Sequence, residues 1–267
     1  MVADAAFPTL SAPAWPGKLT RFGTRAIAVG ALLVAISGPL NRFTPIGFQA
    51  ALLLLVAGVV ALLVGALLAI VGFLVALSKG SPVSKGSVAL AIVVALGLLG
   101  YLLSWLRAGM GVPPIHEIST DLASPPPFVA VLPLRAQGGA VNPPEYVAEI
   151  GGRNGKTNVP EAQRKAFPDI QPVILEGVAP AAAFVRAEAA ARQLGWKVVA
   201  AVPDEGRIEA TDTTAFFAFK DDVVIRLRAE GGGTRIDVRS KSRVGVGDVG
   251  ANAARVRKFL ALVKAGA

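Results

Sequence analysis

Two regimes of hydrophobic patterning divide the chain. From residue 26 to 106 apolar positions run almost unbroken in Leu, Ala, Val, Gly and Ile. From Arg107 onward they alternate, or recur at helical spacing, among polar ones. Residues 49–77 carry no charge, and neither do residues 87–106. Both stretches are long enough for a helix across a hydrocarbon core of ~30 Å. Residues 26–40 rise only about 22 Å as a helix, so that stretch crosses only if Phe22 to Thr24 extend it. In the middle stretch Gly58, Gly65 and Gly72 recur every seven residues, and Ala57, Ala61, Gly65 and Ala69 every four. Small residues on one face let helices approach closely, for packing among the chain's own three helices or for a dimer.

Beyond the apolar half, PPIHEISTDLASPPP (113–127) reads as a Pro-rich linker. FVAVLPL (128–134) and PVIL read as short strands, with Gly-, Asn- and Pro-rich loop between them. Phe184, Ala187, Ala191 and Leu194 repeat at helical spacing from Pro180 to a stop at Gly195. KVVAAV, PDEG and RIEATDT predict a hairpin; FFAFKDDVVIRLRAE, GGG and TRIDVRSKSRV predict a longer one. In the second hairpin Phe217, Phe219, Val223, Ile225 and Leu227 share one face, as do Ile236 and Val238. A four-residue loop at 230–233 pairs Arg226 with Asp237, Asp222 with Lys241, Val223 with Ser240 and Asp221 with Ser242. Arg235, Arg239, Lys241 and Arg243 then form a solvated cationic stripe, for solubility and cross-strand pairing or for binding an anion or headgroup. A final helix follows Asp248, with Val249, Ala253, Val256, Phe259, Leu260 and Val263 buried and Arg255 outside that stripe.

The fold class expected is an N-terminal all-α membrane bundle of three transmembrane helices plus a C-terminal α+β domain, a small antiparallel sheet packed by helices. Its segments are a cytoplasmic 1–25, a membrane domain 26–106, a linker 107–127 and a soluble domain 128–267.

Charge orients this arrangement. The net charge is +9. Residues 1–106 hold six cations (Lys18, Arg21, Arg25, Arg42, Lys79, Lys85) and one acid, Asp4, leaving +5 there and +4 in the remainder. Lys18, Arg21, Arg25, Lys79 and Lys85 fall on one side of the bundle, Arg42 and Arg107 on the other. The excess belongs in the cytoplasm, which puts everything after Arg107 on the far side of the membrane. No A-x-A-like site precedes a polar mature domain, so a cleaved signal peptide fits poorly. No ionisable group lies inside the spans, which argues against an ion or proton pathway. No dense Lys/Arg run interleaves with aromatics, which argues against nucleic acid. The chain has no cysteine, so disulfides, thiolate metal sites and Cys nucleophiles are excluded.

GVGDVG (245–250) spells G-x-G-x-x-G, but a dinucleotide site needs a second parallel strand and a later acid. The preceding strand belongs to an antiparallel hairpin, only 17 residues follow Gly250, and Asp248 would repel a pyrophosphate. What remains is a tight strand-to-helix turn whose amides, beside Arg243, could hold an anion. His116 is the only histidine, with Glu117, Ser119 and Asp121 close in sequence. That makes it a candidate general base, or a His that caps the linker. Asp221 shares the parity of Phe219 and Val223, so it needs Ser hydroxyls, loop amides or a raised pKa.

FKDDVVIRL, VRSKSRVGVGDVGANAARVRKFL, PPIHEISTD and FPDIQP together resemble the domain of unknown function 1499 family, over roughly 113–263. The resemblance implies a bacterial, membrane-anchored protein. It highlights Phe219, Asp221, Asp222, Arg239, Ser240, Ser242, Arg243, Gly245, Asp248, Gly250 and Asn252. Gly247 stands where Ser is common in the family. The resemblance implies a connected polar cluster of Asp221, Ser242, Arg243 and Asp248, either a site or a structural lock, and names no reaction. The expected function is a membrane-tethered, non-catalytic periplasmic domain that binds a protein or lipid partner in envelope assembly or maintenance. Arg239, Ser240, Ser242, Arg243, Asp248 and Asn252 are its binding candidates. The alternatives are a hydrolase-like enzyme using His116 with Asp221, Ser242 and Asp248, and a membrane-complex assembly factor acting through its helices. No cofactor or metal is expected, and the oligomeric state stays open.

Overall fold

The structure, a computed structural model, describes residues 12–152 and 155–266. The chain divides into two compact units, Met1–Leu106 and Arg107–Ala267. The first contains α1 (Trp15–Phe43), α2 (Phe48–Ser78) and most of α3 (Lys85–Met110), each long and apolar enough to cross a membrane. Helix α1 starts well before Phe22, with Pro16 in its first turn, where the missing N–H costs nothing. Its 29 residues rise about 44 Å, so the extension that residues 26–40 needed is present.

The small-residue face of α2 seats α1. A Cβ on Gly58 would lie 2.9 Å from Gly30 O, one on Gly65 2.8 Å from Ile27 N, and one on Gly72 2.6 Å from Thr20 N. Gly23 and Gly30 answer from α1 at the same spacing of seven. Ile27, Val34, Leu62, Ala69 and Ala95 close the core. Outward faces carry exposed Phe22, Leu53, Leu67, Leu90 and Val93, the all-round apolarity of helices that face lipid.

The second unit is built on an antiparallel sheet with the order β1 (Glu117–Ser119), β8 (Gly233–Ser242), β7 (Lys220–Glu230), β6 (Arg207–Thr213), β5 (Lys197–Val202). Strand β4 (Val173–Glu176) also pairs with β8, at its other end. The long hairpin has the register that parity requires: Asp221↔Ser242, Asp222↔Lys241, Val223↔Ser240 and Arg226↔Asp237. Its turn is tighter than the four residues expected. Glu230 pairs with Gly233, which leaves Gly231 and Gly232 at φ 60° and 77°, the left-handed pair a type I′ hairpin demands. One face of the sheet carries Ile208, Val223, Ile225, Leu227, Ile236 and Val238 against α6 (Pro180–Gln193) and α7 (Ala251–Ala265). Trp196 stacks on Phe259 at 5.4 Å between centroids.

Five further expectations are corrected. The Pro-rich segment is not a free linker. Ile115 and Ile118 are core residues, and β1, which contains Ile118, pairs with β8, so Pro113–Pro114 and Pro125–Pro127 bracket a strand. FVAVLPL is no strand: the amides of Val129, Ala130 and Val131 donate to the buried Glu209 carboxylate in place of a ladder. Pro133 then opens α4 (Leu132–Gln137). The segment read as loop holds a hairpin, β2 (Glu149–Gly152) with β3 (Gly155–Asn158). It also holds α5 (Val159–Ala166), whose Asn158 cap accepts from Glu161 N at 2.9 Å. Val249, placed in the buried stripe of α7, is exposed at φ 55°, and residues 215–219 turn before β7 instead of extending it.

Candidate functional site

The residues singled out by sequence gather at the end of the sheet where β7 begins and β8 finishes, and strand alternation divides them between its two faces. On the α7 face lie Asp221, Ser240 and Ser242. Helix α7 presents Asn252 and Arg255 to them from neighbouring positions three residues apart. Arg255 Nη2 donates to Asp221 Oδ2 (2.5 Å), Nη1 to Asn252 Oδ1 (2.7 Å) and Ser240 Oγ (3.2 Å), and Nε to Asp212 Oδ2 (2.7 Å). Asn252 Nδ2 donates to Ser242 Oγ (2.9 Å) and His116 O (3.2 Å). The apolar-side carboxylate of Asp221 is therefore met by a guanidinium, not by the Ser hydroxyls or loop amides expected. Arg255, placed outside the stripe, is buried. Its spacing from Asn252 was the available signal.

The opposite face corrects the solvated stripe. Arg239, Lys241 and Arg243 are 1%, 0% and 4% exposed, and only Arg235 keeps partial exposure. Residues 121–146, with α4, cover them. Glu117 takes Arg239 on one carboxylate oxygen and Lys241 on the other (2.9 Å). Asp222 receives Arg243 in a two-point bond (2.9 and 2.8 Å), Arg135 at 2.7 Å and the Thr211 hydroxyl at 2.7 Å. Four cations face two carboxylates here. Backbone carbonyls answer the excess: Pro126 and Pro144 for Arg239, Glu145 for Lys241, Leu134 for Arg243 and Asn142 for Arg135. The Arg239 guanidinium also lies 4.6 Å from the Phe128 ring centroid and 5.8 Å from that of Tyr146. Burial pushes the Lys241 and Arg239 pKa values down, against the pull of Glu117, and it pushes the Tyr146 phenol up to about 12. Buried charges of this kind are tolerable when paired and hydrogen-bonded, and here Arg135 Nε and the Tyr146 hydroxyl are buried without a hydrogen-bond partner. Covered by loop carbonyls, the paired charges fasten the covering segment to the sheet.

The cluster expected from Asp221, Ser242, Arg243 and Asp248 is accordingly split. Asp221 and Ser242 share the α7 network, and Arg243 belongs to the Asp222 network across the sheet. Asp248 joins the α7 side through the backbone. Its carboxylate accepts from Gly250 N and Asn252 N, both at 2.8 Å, which caps α7 from two residues before the left-handed Gly250. Those amides are thus occupied by the chain's own carboxylate, which removes the anion reading of GVGDVG. Burial raises the Asp248 pKa, opposed by the two amides.

His116 is buried at the start of β1. Its Nδ1 lies 3.3 Å from Val246 O, and burial holds its pKa below the ordinary value. Alternation along β1 sends Glu117 to the other face, to Arg239 and Lys241. Closeness in sequence thus did not bring His116 and Glu117 together. Among the described residues, no three His, Cys, Asp or Glu side chains cluster as metal ligands. Ser242 Oγ is held by Asn252 and Ser240 Oγ by Asn252 and Arg255. The arrangement joins strands, helix and covering loops through internal bonds.

Comparison with known proteins places this arrangement. The family model described as "Protein of unknown function (DUF1499)" matches residues 117–263, more than half of the chain, and the chain belongs to that family. None of the curated proteins is similar to it. The match begins at Glu117, the residue that pairs with Arg239 and Lys241 from β1.

Proposed function

We propose that this family member is a membrane-tethered, non-catalytic domain held on the periplasmic side of a bacterial inner membrane, where it binds a protein or lipid partner in envelope assembly or maintenance. One observation carries the reading. The polar residues that a reaction would need (His116, Asp221, Ser240, Ser242 and Asn252) are buried and bonded to one another, to Arg255 or to the backbone. Such a network locks a fold, and it leaves recognition to the surface. Lys18, Arg21, Arg25, Lys79 and Lys85 against Arg42 and Arg107 support the sidedness.

The test is crosslinking in intact cells from exposed positions of the domain, with the full chain as bait. A partner or lipid enriched over an unrelated domain on the same three helices is the expected result. Equal recovery with both baits rejects the proposal. A deletion strain complemented fully by a chain carrying His116→Gln agrees with the non-catalytic reading; loss of complementation by a folded His116→Gln chain rejects it.

A further inference from the structure

The sheet end that closes the polar networks also carries an apolar rim. Three segments meet there. The turn before β7 carries Phe216, 45% exposed, with its ring edge-on to Phe217 at 4.9 Å. The turn after β8 carries Val246 and Val249, 60% and 47% exposed. Val141 is 68% exposed, and its N–H donates to Arg243 O at the same end of β8. Large apolar side chains grouped on loop tips are unusual on a surface that faces only water.

The chain's own path says what covers them. Exposed Tyr101 and Trp105, packed edge to face at 6.4 Å, precede Arg107, the first charged residue after Lys85. That order marks a headgroup level. Residues 107–110, the last turn of α3, belong to the same compact unit as the sheet. Within that unit Gly109 lies against the rim: a Cβ there would be 3.2 Å from Val249 Cγ1. Four residues, 111–114, then lead to the core residue Ile115, a tether of at most ~18 Å. Val249 thus stands within about one helical turn of Arg107, and His116, bonded to Val246 O, anchors the second tip beside it. Lys220, exposed at the start of β7, adds a cation suited to anionic headgroups.

We propose that the loops bearing Phe216, Val246, Val249 and Val141 rest in the headgroup region of the bilayer that the three helices cross, so that this end of the sheet lies on the membrane surface. The proposal rests on the helices spanning a bilayer and is independent of which partner the domain binds.

The chain contains no cysteine, so single variants Phe216→Cys, Val246→Cys and Val249→Cys of the full chain can each carry an environment-sensitive fluorophore. Ile174→Cys is the control, because Ile174 is 46% exposed and its strand pairs with the opposite end of β8. The proteins are reconstituted in vesicles of phosphatidylethanolamine and phosphatidylglycerol, some containing lipid with a nitroxide near the headgroup. The expected result is blue-shifted emission at the rim and about twofold or more stronger quenching there than at Ile174, the signature of shallow interfacial burial. Water-like emission at all rim positions overturns the proposal. So does a blue shift seen in native membranes and lost in pure lipid, which assigns the rim to a protein partner. Phe216→Ser, at an exposed site, is expected to weaken quenching at Val246 while hydrogen exchange of the sheet core stays unchanged.

Discussion

Arg255, which the helical periodicity left outside the buried stripe, ties four polar side chains of this domain together. Its guanidinium holds Asp221, Asp212, Asn252 and Ser240, so Arg255→Met strands a buried carboxylate. Breaking a buried pair from one side costs about 3–5 kcal/mol. Hydrogen exchange of β7 and β8 in the intact protein should show that loss, and the double change with Asp221→Ser should cost less than the two single losses added together. Protonation gives a second handle. Burial keeps the His116 pKa below 6.5, so the unfolded chain takes up the proton first. The stability this group contributes is complete above pH 6.5 and is lost as pH falls through the window below it. Asp248 has the opposite sign, since its raised pKa makes stability fall as pH rises above 3.8. The difference between wild type and His116→Gln isolates the first effect: the two exchange profiles should diverge in slope just below pH 6.5 and run parallel above it. Parallel profiles throughout would show that the imidazole titrates alike in both states.

The helices α1 and α2 meet through backbone, and that closeness is itself testable. A Cβ on Gly58 would sit 2.9 Å from both Gly30 O and Val34 N, so Gly58→Leu must push the pair apart. A disulfide between cysteines placed on the facing surfaces of α1 and α2 should then form several-fold more slowly than in the parent. An unchanged rate would mean that the helices repack without cost. The same physics explains what could be read in advance. Spacing of seven in glycines and period two in the long hairpin are both strong, repeated signals. Each shift of one residue along β8 would have moved Ile236 and Val238 off the core, so the register was legible. Elements built from few residues were not. β1 has three residues, and residues 129–131, just before α4, forgo strand pairing because a distant carboxylate, Glu209, takes their amides. The cationic stripe was misread for the same reason. Parity placed Arg239, Lys241 and Arg243 on one face correctly, but the cover that buries them comes from residues 121–146, whose carbonyls carry no side-chain signature.

Which side of a membrane holds the sheet decides what partner the domain can meet, and the decision rests on seven cations. The first three turns of α1 hold Lys18, Arg21 and Arg25, and the junction of α2 and α3 holds Lys79 and Lys85; Arg42 and Arg107 stand near the opposite ends of α1 and α3. Ser84 and Asp204 are both exposed, one beside Lys85 and one at the β5–β6 turn. With no native cysteine to interfere, Asp204→Cys in intact spheroplasts should react with an impermeant maleimide, and Ser84→Cys should react only after the membrane is opened. The reverse pattern would put the domain in the cytoplasm and remove the periplasmic reading. The charge argument can then be tested apart from the outcome. Lys79→Gln with Lys85→Gln lowers the excess from five against two to three against two, and adding Thr44→Lys with Ile46→Lys reverses it to three against four. Because orientation follows Lys and Arg in short loops, Asp204→Cys labelling from outside should drop in the first variant and fall further in the second. If it stays complete in both, translocation of the domain is driven by something other than these cations. The assignment of sides would then stand on the labelling alone.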